Sequence, residues 1–468
     1  KGLYSLNQPV ELRIGARDAR ANRAEVVLSV NAQSIPLFQF GVFYEEDLEI
    51  HNGPPMEFAG WVHTNGNLYL SSDNTYFQSR LTTPDSVFWR RKDTNERRNG
   101  VYINNDAGTQ VKLSFDSREP GSPGGDAGFR QSSETKFNSR LMSAAHGVSE
   151  LRLPLSAGVP PIAMIEPRNP ATDGAPEQNV KFAWKADWYI ELNLASMGTM
   201  CNSGGAILSS VRAGGKSKPT SAECNTIFKW TENAFREGRE DIGVDVLDID
   251  IGALRTWAST NAKRTEILYV TFKGTPATAN KGDYPVVRLK NASRLPNPIT
   301  IATSHPLYLW GNFNTNTWQP AALLGDAITI LSGSFSDANH SPGATGSGSY
   351  TMKNASATSV YAAIAAGHSA TPCDSYRAGC AGGNYGGGLE NFPRFLENWA
   401  GVTMTYRGSL VSLFQAQKAD RKRWTWRTYY SAPNRDWEFD VRFQDPTKLP
   451  PGTPAVGNVY QTAYRPVY

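Results

Sequence analysis

Residues 299–331 read ITIATSHPLYLWGNFNTNTWQPAALLGDAITIL, and this stretch decides the fold. Ile299-Thr300-Ile301, Leu307 to Trp310, Ala321 to Leu324 and Ala327 to Leu331 are short apolar runs. Each ends at a polar corner, the richest carrying Asn312, Asn314 and Asn316. Apolar runs of this length bounded by Asn, Gly, Pro and Asp read as strands, not helices. Runs that meet at such corners fit successive turns of a β-solenoid, where Asn or Thr satisfies free backbone groups. The spacing suggests one turn per roughly 25–30 residues.

The same texture extends outward. Leu37 to Tyr44, Leu48 to Ile50, Met56 to Val62 and Leu68 to Leu70 are separated by Gly, Asn and Pro corners. Val244 to Ile251, Glu266 to Phe272 and Val286 to Leu289 read as further strands, as does Phe182 to Leu194. Helical expectations are few: Asn225 to Glu237, Leu254 to Trp257, Ala357 to Gly367 and 392–399. Residues 116–147 read as a long excursion and 90–98 as a charged loop. The expected fold class is mainly β, a β-solenoid or stacked β-sheet body with short capping helices. The expected organisation is a lead-in segment over 1–34, a β-rich body over 35–335 with a stapled loop at 201–224, and a C-terminal region over 336–468.

Composition bounds the function. The 468 residues carry a net charge of +4, with 19% charged and 11% aromatic residues. Nucleic-acid binding needs a concentrated basic stripe, and so weak a balance argues against it. No run of about 18 apolar residues could span a membrane as a helix. Lys1 opens the sequence with no visible signal segment, so the reading is of a mature or trimmed fragment. Any membrane contact is expected only through a segment outside it. Cys201, Cys224, Cys373 and Cys380 fall as two local pairs, expected to be disulfides formed in an oxidising, extracellular setting. Three pairings are possible, and the local one is favoured. A zinc site would need closer ligand pairs or nearby histidines.

Three motifs merit a functional reading beside a structural one. Phe392, Phe395, Leu396 and Trp399 recur at one-face helical spacing behind Pro393, which suits a first helical turn. They form either an interaction surface or, the favoured reading, a cap on the β-stack. Asp248 and Asp250 share a strand face and could hold Ca²⁺ or act as paired carboxylates; the favoured alternative is a charged strand edge. Trp424 and Trp426 interleave with Arg421, Lys422, Arg423 and Arg427, as a sugar- or polyanion-binding surface or as a strand with one aromatic and one basic face. The histidines lack metal spacing, and none of the common nucleophile, zinc-protease, phosphate-loop or dinucleotide motifs occurs. Asn291 and Asn354 begin glycosylation sequons. No catalytic residues and no cofactor beyond possible Ca²⁺ are expected.

Several stretches taken together carry a resemblance: residues 35–50 and 60–69, Arg239-Glu240 with Leu247 to Asp250, His305 to Asn314, Gly325 to Ser332, Gly388 to Trp399, Gly408 to Ser412, and Pro433 to Arg435 with Phe439-Asp440. In this order they resemble secreted bacterial pilus-assembly proteins with a PilX-type, prepilin-like N-terminus. The resemblance implies a hydrophobic N-terminal helix ahead of the part seen here, export to the cell surface, and no catalytic residues to carry over. The expected function is a non-enzymatic structural protein of a pilus-like filament or surface assembly. It would act by subunit packing and adhesion, with itself or other pilus subunits as partners. The alternative is a β-solenoid that binds or degrades surface polysaccharide.

Overall fold

A computed structural model describes residues 2–117, 125–210, 218–261, 265–274, 284–340, 352–372, 385–420 and 429–467. The protein is mainly β with several sheets. Ile299–Thr303 and Ala321–Gly325, from the stretch quoted above, are neighbours in a ten-stranded sheet. Leu307–Trp310 and Ile328–Leu331 are neighbours in a second sheet. Between Ile299 and Leu331 each pass of the chain therefore adds one parallel strand to each of these two ladders.

The ten-stranded ladder has an order that sequence does not suggest. Trp188–Asn193, Ile267–Lys273, Ile299–Thr303, Ala321–Gly325, Ala363–His368 and Leu410–Gln415 follow one another. The next neighbour is Val42–Tyr44, with Leu410 opposite Val42; then come Val62–Thr64, Leu81–Thr82 and Leu141–Met142. The chain thus enters in the middle of the stack and winds to one end at Leu141–Met142. It returns outside the stack and winds from the other end at Trp188 back to its starting point. A second wall holds Ile242–Asp250, Pro285–Lys290, Leu307–Trp310, Ile328–Leu331 and Pro393–Phe395, plus the separate ladder of Leu48–Ile50, Leu68–Leu70 and Val87–Phe88. A third holds Thr358–Tyr361, Thr403–Gly408 and Asn434–Phe439, and a separate ladder of Met56–Phe58, Thr75–Phe77 and Val101–Asn104.

Both faces of the long ladder are buried, which is why its strands are continuous apolar runs and not alternating ones. Leu268, Ile301, Leu323, Ile364 and Val42 face the main core. Their sequence neighbours Tyr269, Ala302, Ala322, Leu324, Ala363 and Phe43 join a second cluster. The returning segment covers that second face with Leu151, Leu153, Ile162, Met164, Ile165, Val180 and Phe182. In-register stacking also aligns like side chains about 4.8 Å apart: Tyr189 lies on Tyr269 and Phe58 on Phe77, with centroids 5.4 and 4.9 Å apart. Gly41 and Gly60 allow one tight approach, since a Cβ on Gly41 would sit 2.9 Å from the Gly60 Cα.

The corners behave as the asparagines suggested. Asn314 is buried with φ +59°. Its Nδ2 donates to the Gln319 and Tyr361 carbonyls at 2.7 and 2.9 Å, and its Oδ1 accepts from the Gln319 amide at 3.0 Å. Asn65 donates at 2.8 Å to both Glu45, 20 residues earlier, and the Leu151 carbonyl. Ile299 lies opposite Ala321, Leu307 opposite Ile328 and Val42 opposite Val62, so the turns at 299–331 and near the N-terminal part are all shorter than the expected spacing.

Several expectations are corrected. No helix spans 392–399: Leu389–Asn391 is a 3₁₀ turn and Pro393–Phe395 a strand paired with Ile328–Ile330. The helical spacing is overridden because pairing with Ile328–Ile330 makes this segment a strand, and Phe392, Phe395, Leu396 and Trp399 all enter the main core. Ala357 to Gly367 forms the strands Thr358–Tyr361 and Ala363–His368, since a ladder buried on both faces outweighs the helix preference of alanine. Phe228–Glu237 is a strand antiparallel to Ile242–Asp250, and only Ser221–Ile227 before it is helical. Phe182–Lys185 is helical and Trp188–Asn193 is a strand. The excursion over 116–147 holds the helix Gly125–Phe137. Residues 2–34 run into the stack at Val42–Tyr44 from a sheet of their own. Leu6–Arg17 and Arg23–Pro36 form an antiparallel sheet with Ala455–Val467.

Candidate functional site

The second wall places charged side chains in a row. Parallel pairing puts Asp248 opposite Arg288, Arg288 opposite Tyr308, Tyr308 opposite Thr329 and Thr329 opposite Arg394. Residues opposite one another in register share a face, so this row repeats once per turn. All five are buried.

Arg288 is the hub. Its Nε and Nη2 meet the two Asp248 oxygens at 2.7 and 2.9 Å, and its Nη1 and Nη2 meet Asp337 at 2.5 and 3.0 Å. The guanidinium lies 4.6 Å from the Trp310 ring centroid. Burial alone would lower its pKa, but the two carboxylates win and hold it above the usual arginine range. At the other end of the row Arg394 donates to Glu240 at 2.8 Å and to the Ala419 carbonyl at 2.7 Å. Asp326 accepts from the amides of Gln417, Lys418 and Ala419 at 2.7–2.9 Å. Beside Arg394, burial pushes the Glu237 carboxyl up to about 8, and Glu240 adds to the rise.

A second buried polar group lies where Leu48–Ile50 meets the chain around residue 390. Thr371 donates to Glu49 at 2.9 Å, and Tyr385 donates to Glu390. Burial pushes Glu49 up to about 7 and raises Glu390. Burial also pulls histidines down: His63 and His368 to about 4, and His305 to about 3.

These geometries settle where the expected site residues lie. Asp248 and Asp250 share a strand, as expected, and both are engaged by partners inside the protein. Both Asp248 oxygens are taken by Arg288, and Asp250 caps the helix Ile251–Thr260, accepting from the Ala253 amide at 2.9 Å and from Asn291 at 2.6 Å. Nor is Asp248 a charged strand edge, since it is buried. Among the described residues no group of three or more His, Cys, Asp or Glu is gathered as a metal site requires. Phe392, Phe395 and Trp399 are 3%, 1% and 0% exposed, so they are core residues and not a surface. Cys201 and Cys224 form a disulfide with Cα atoms 5.5 Å apart. Cys373, Cys380, Trp424 and Trp426 lie outside the described residues.

The features that sequence reasoning missed are Arg288, Asp337, Glu237, Glu240 and Arg394. Only the register of the ladder brings them together, and no local motif announces them. A surface groove of about 550 Å³ adjoins the row, lined by Lys290, Asn291, Ser293, Trp310 and Asn312 among others. Chemically, the row can neutralise and fix buried charge; its carboxylates face partners inside the protein.

No family model matches the chain, and no curated protein matches it. Among solved structures, a competence-associated pilin, ComZ from Thermus thermophilus, is similar with a TM-score of 0.30 and 10% sequence identity, over 98% of this chain and 87% of that chain. A TM-score of 0.30 is below that of a shared fold, so the likeness adds nothing to the geometry above.

Proposed function

We propose that this chain is a non-enzymatic structural subunit of an extracellular, pilus-like surface assembly, with a β-solenoid body. The observation that carries this reading is the fate of the charged groups. Arg288 is bound to Asp248 on the neighbouring strand and to Asp337, and Arg394 is bound to Glu240, 154 residues away in sequence. That arrangement ties distant parts of the stack together and turns these groups toward partners inside the protein. Replacing a buried ion pair by apolar residues is often neutral or stabilising, so the value of these pairs here is read as fixing register. Export is supported by the Cys201–Cys224 disulfide, because such bonds persist in oxidising compartments. Among the described residues no helix is long and apolar enough to cross a membrane. Partners would be further copies or other subunits of the same assembly. Electron microscopy of material sheared from the surface of producing cells tests the reading. Copies of the chain repeating along a filament are the expected result. Isolated monomers alone would overturn it.

One observation favours a second reading, polysaccharide binding. The groove at Trp310 combines an aromatic ring with the amides of Asn291 and Asn312 and the Lys290 ammonium, the mixture of stacking and hydrogen bonding that sugars use. Titration of bacterial surface polysaccharides against tryptophan fluorescence, with Trp310→Ala as the control, checks it. A signal unchanged in that variant would eliminate this groove.

A further inference from the structure

We propose that the three-stranded terminal sheet is a self-association surface, whose uncovered apolar face packs against the same face of a second copy of this chain. The inference deepens the assembly reading above and rests on it only for its biological setting.

The sheet is Leu6–Arg17, Arg23–Pro36 and Ala455–Val467, with Arg23–Pro36 in the centre. Its base is anchored, since Ile35 and Val456 are buried in the cluster on the outer face of the long ladder. Beyond the base the sheet stands free. Register assigns its two faces: Leu12, Leu28 and Tyr464 lie in one row, and Ile14, Val26 and Pro466 in the next. Val10 with Val30 and Gln461, and Gln8 with Ala32 and Val459, extend the same uncharged face. No charged side chain falls on it. Glu11, Arg13, Arg17, Arg23, Glu25 and Arg465 all fall on the opposite face.

The apolar face is open. Leu6 is 62% exposed, Leu12 45%, Ile14 54%, Val459 68% and Tyr464 60%. A single exposed leucine is ordinary, but a contiguous uncharged face marks an interaction surface. Antiparallel sheets with this alternation bury the apolar side and hydrate the other.

Two arguments select a second copy as the occupant. The first is area. Strands of 12 residues, at about 3.4 Å per residue and about 4.8 Å between strands, give a face of roughly 550 Å². Two such faces in contact remove roughly 1,100 Å², above the ~1,000 Å² expected of a specific interface. A two-fold pair supplies matching flatness, length and absence of charge from one surface, at the ~10 Å spacing of packed sheets. The second argument is the edges. Both outer strands carry a proline, Pro9 and Pro466, which cannot donate to an added strand. Edge-to-edge pairing is therefore blocked while face-to-face packing is left open.

Sedimentation equilibrium of the whole chain tests the proposal. The expected result is a reversible dimer at about 50 µM, with the double variant Leu12→Asp/Ile14→Asp weakening association at least about a hundredfold. Val459→Asp on the other outer strand should weaken it too, so misfolding of one strand cannot mimic the effect. Arg13→Ala/Arg465→Ala, on the charged face, should leave it unchanged. A wild-type chain that stays monomeric overturns the proposal. So does equal loss in the charged-face variant, or flotation of a monomeric wild type with phosphatidylglycerol-containing vesicles through the apolar face, which would assign the face to a lipid surface. If dimers form and the Asp variants dissociate, but no filament is seen on cells, the filament reading fails and this one stands. Filaments formed unchanged by the Asp variants would reverse that outcome.

Discussion

The long ladder and the terminal sheet are both built from strands, yet they solve the burial of apolar surface in opposite ways. In the ladder each strand is apolar on both sides, because the main core takes one face and the returning segment 151–186 takes the other. In the terminal sheet the charged residues all fall on one face, and among the described residues nothing covers the other. The second wall of the same stack is also fixed through in-register polar groups, whereas the terminal sheet relies on backbone pairing and its anchored base. The difference teaches that stability concentrates in the stack and that the sheet is where the molecule has binding surface to spare.

That contrast can be broken first at Arg288. Removing its guanidinium leaves the buried Asp248 with only Lys290, 4.0 Å away, and the half-buried Asp337 without this contact, so Arg288→Ala should cost about 3 kcal/mol, read as a lower midpoint in urea or thermal unfolding. The corresponding change in the sheet, Arg13→Ala, removes an exposed pair with Glu11 and should shift the midpoint negligibly. Next comes the staple. Cys201 and Cys224 are 23 residues apart, and Cys201→Ser/Cys224→Ser should cost about 3 kcal/mol by the chain-entropy account. A corner follows: Asn314→Ala removes three hydrogen bonds at a residue with φ +59°, for a cost of about 2 kcal/mol.

The smallest effect sharpens the role of the buried carboxylates. Glu49 and Glu237 have folded pKa values of about 7 and about 8, above the unfolded value of 4.5. Their contribution to stability is therefore full below pH 4.5 and is lost as pH rises through 7 and 8. His63, His305 and His368 act in the opposite sense. Their folded values of about 4, 3 and 4 lie below 6.5, so their contribution is full above 6.5 and is lost as pH falls toward those values. Glu237→Gln keeps an acceptor for the Glu240 amide. It should raise the thermal midpoint at pH 8 by about 3 °C and change it little at pH 4.5. An equal shift at both pH values would mean that Glu237 does not titrate in this range.

Much of the ladder was legible in the sequence. The runs at 299–301, 307–310, 321–324 and 328–331 are strands where the apolar runs and Asn corners place them. The local pairing of Cys201 with Cys224 was also legible, because short-range closure needs only a loop between them. The segments read as helical failed where helical spacing came from residues with unrelated partners. Phe392, Phe395 and Trp399 share a period, yet Phe392 packs near Tyr44 while Phe395 packs on Trp399 and Tyr430. Periodicity reports one face only when one neighbour buries it.

By itself, then, the sequence determined the strand-and-corner texture, the expectation of a disulfide staple and the absence of any local catalytic motif. Each of these depends on residues close together in the chain. Tertiary structure alone decided that Val42 stacks beside Leu410, that Asp248 meets Arg288 and Asp337, and that strands near both ends share one sheet. These are pairings between residues tens to hundreds of positions apart. They are set by which surfaces remain to be buried once the local strands exist, and that information belongs to the packed stack as a whole.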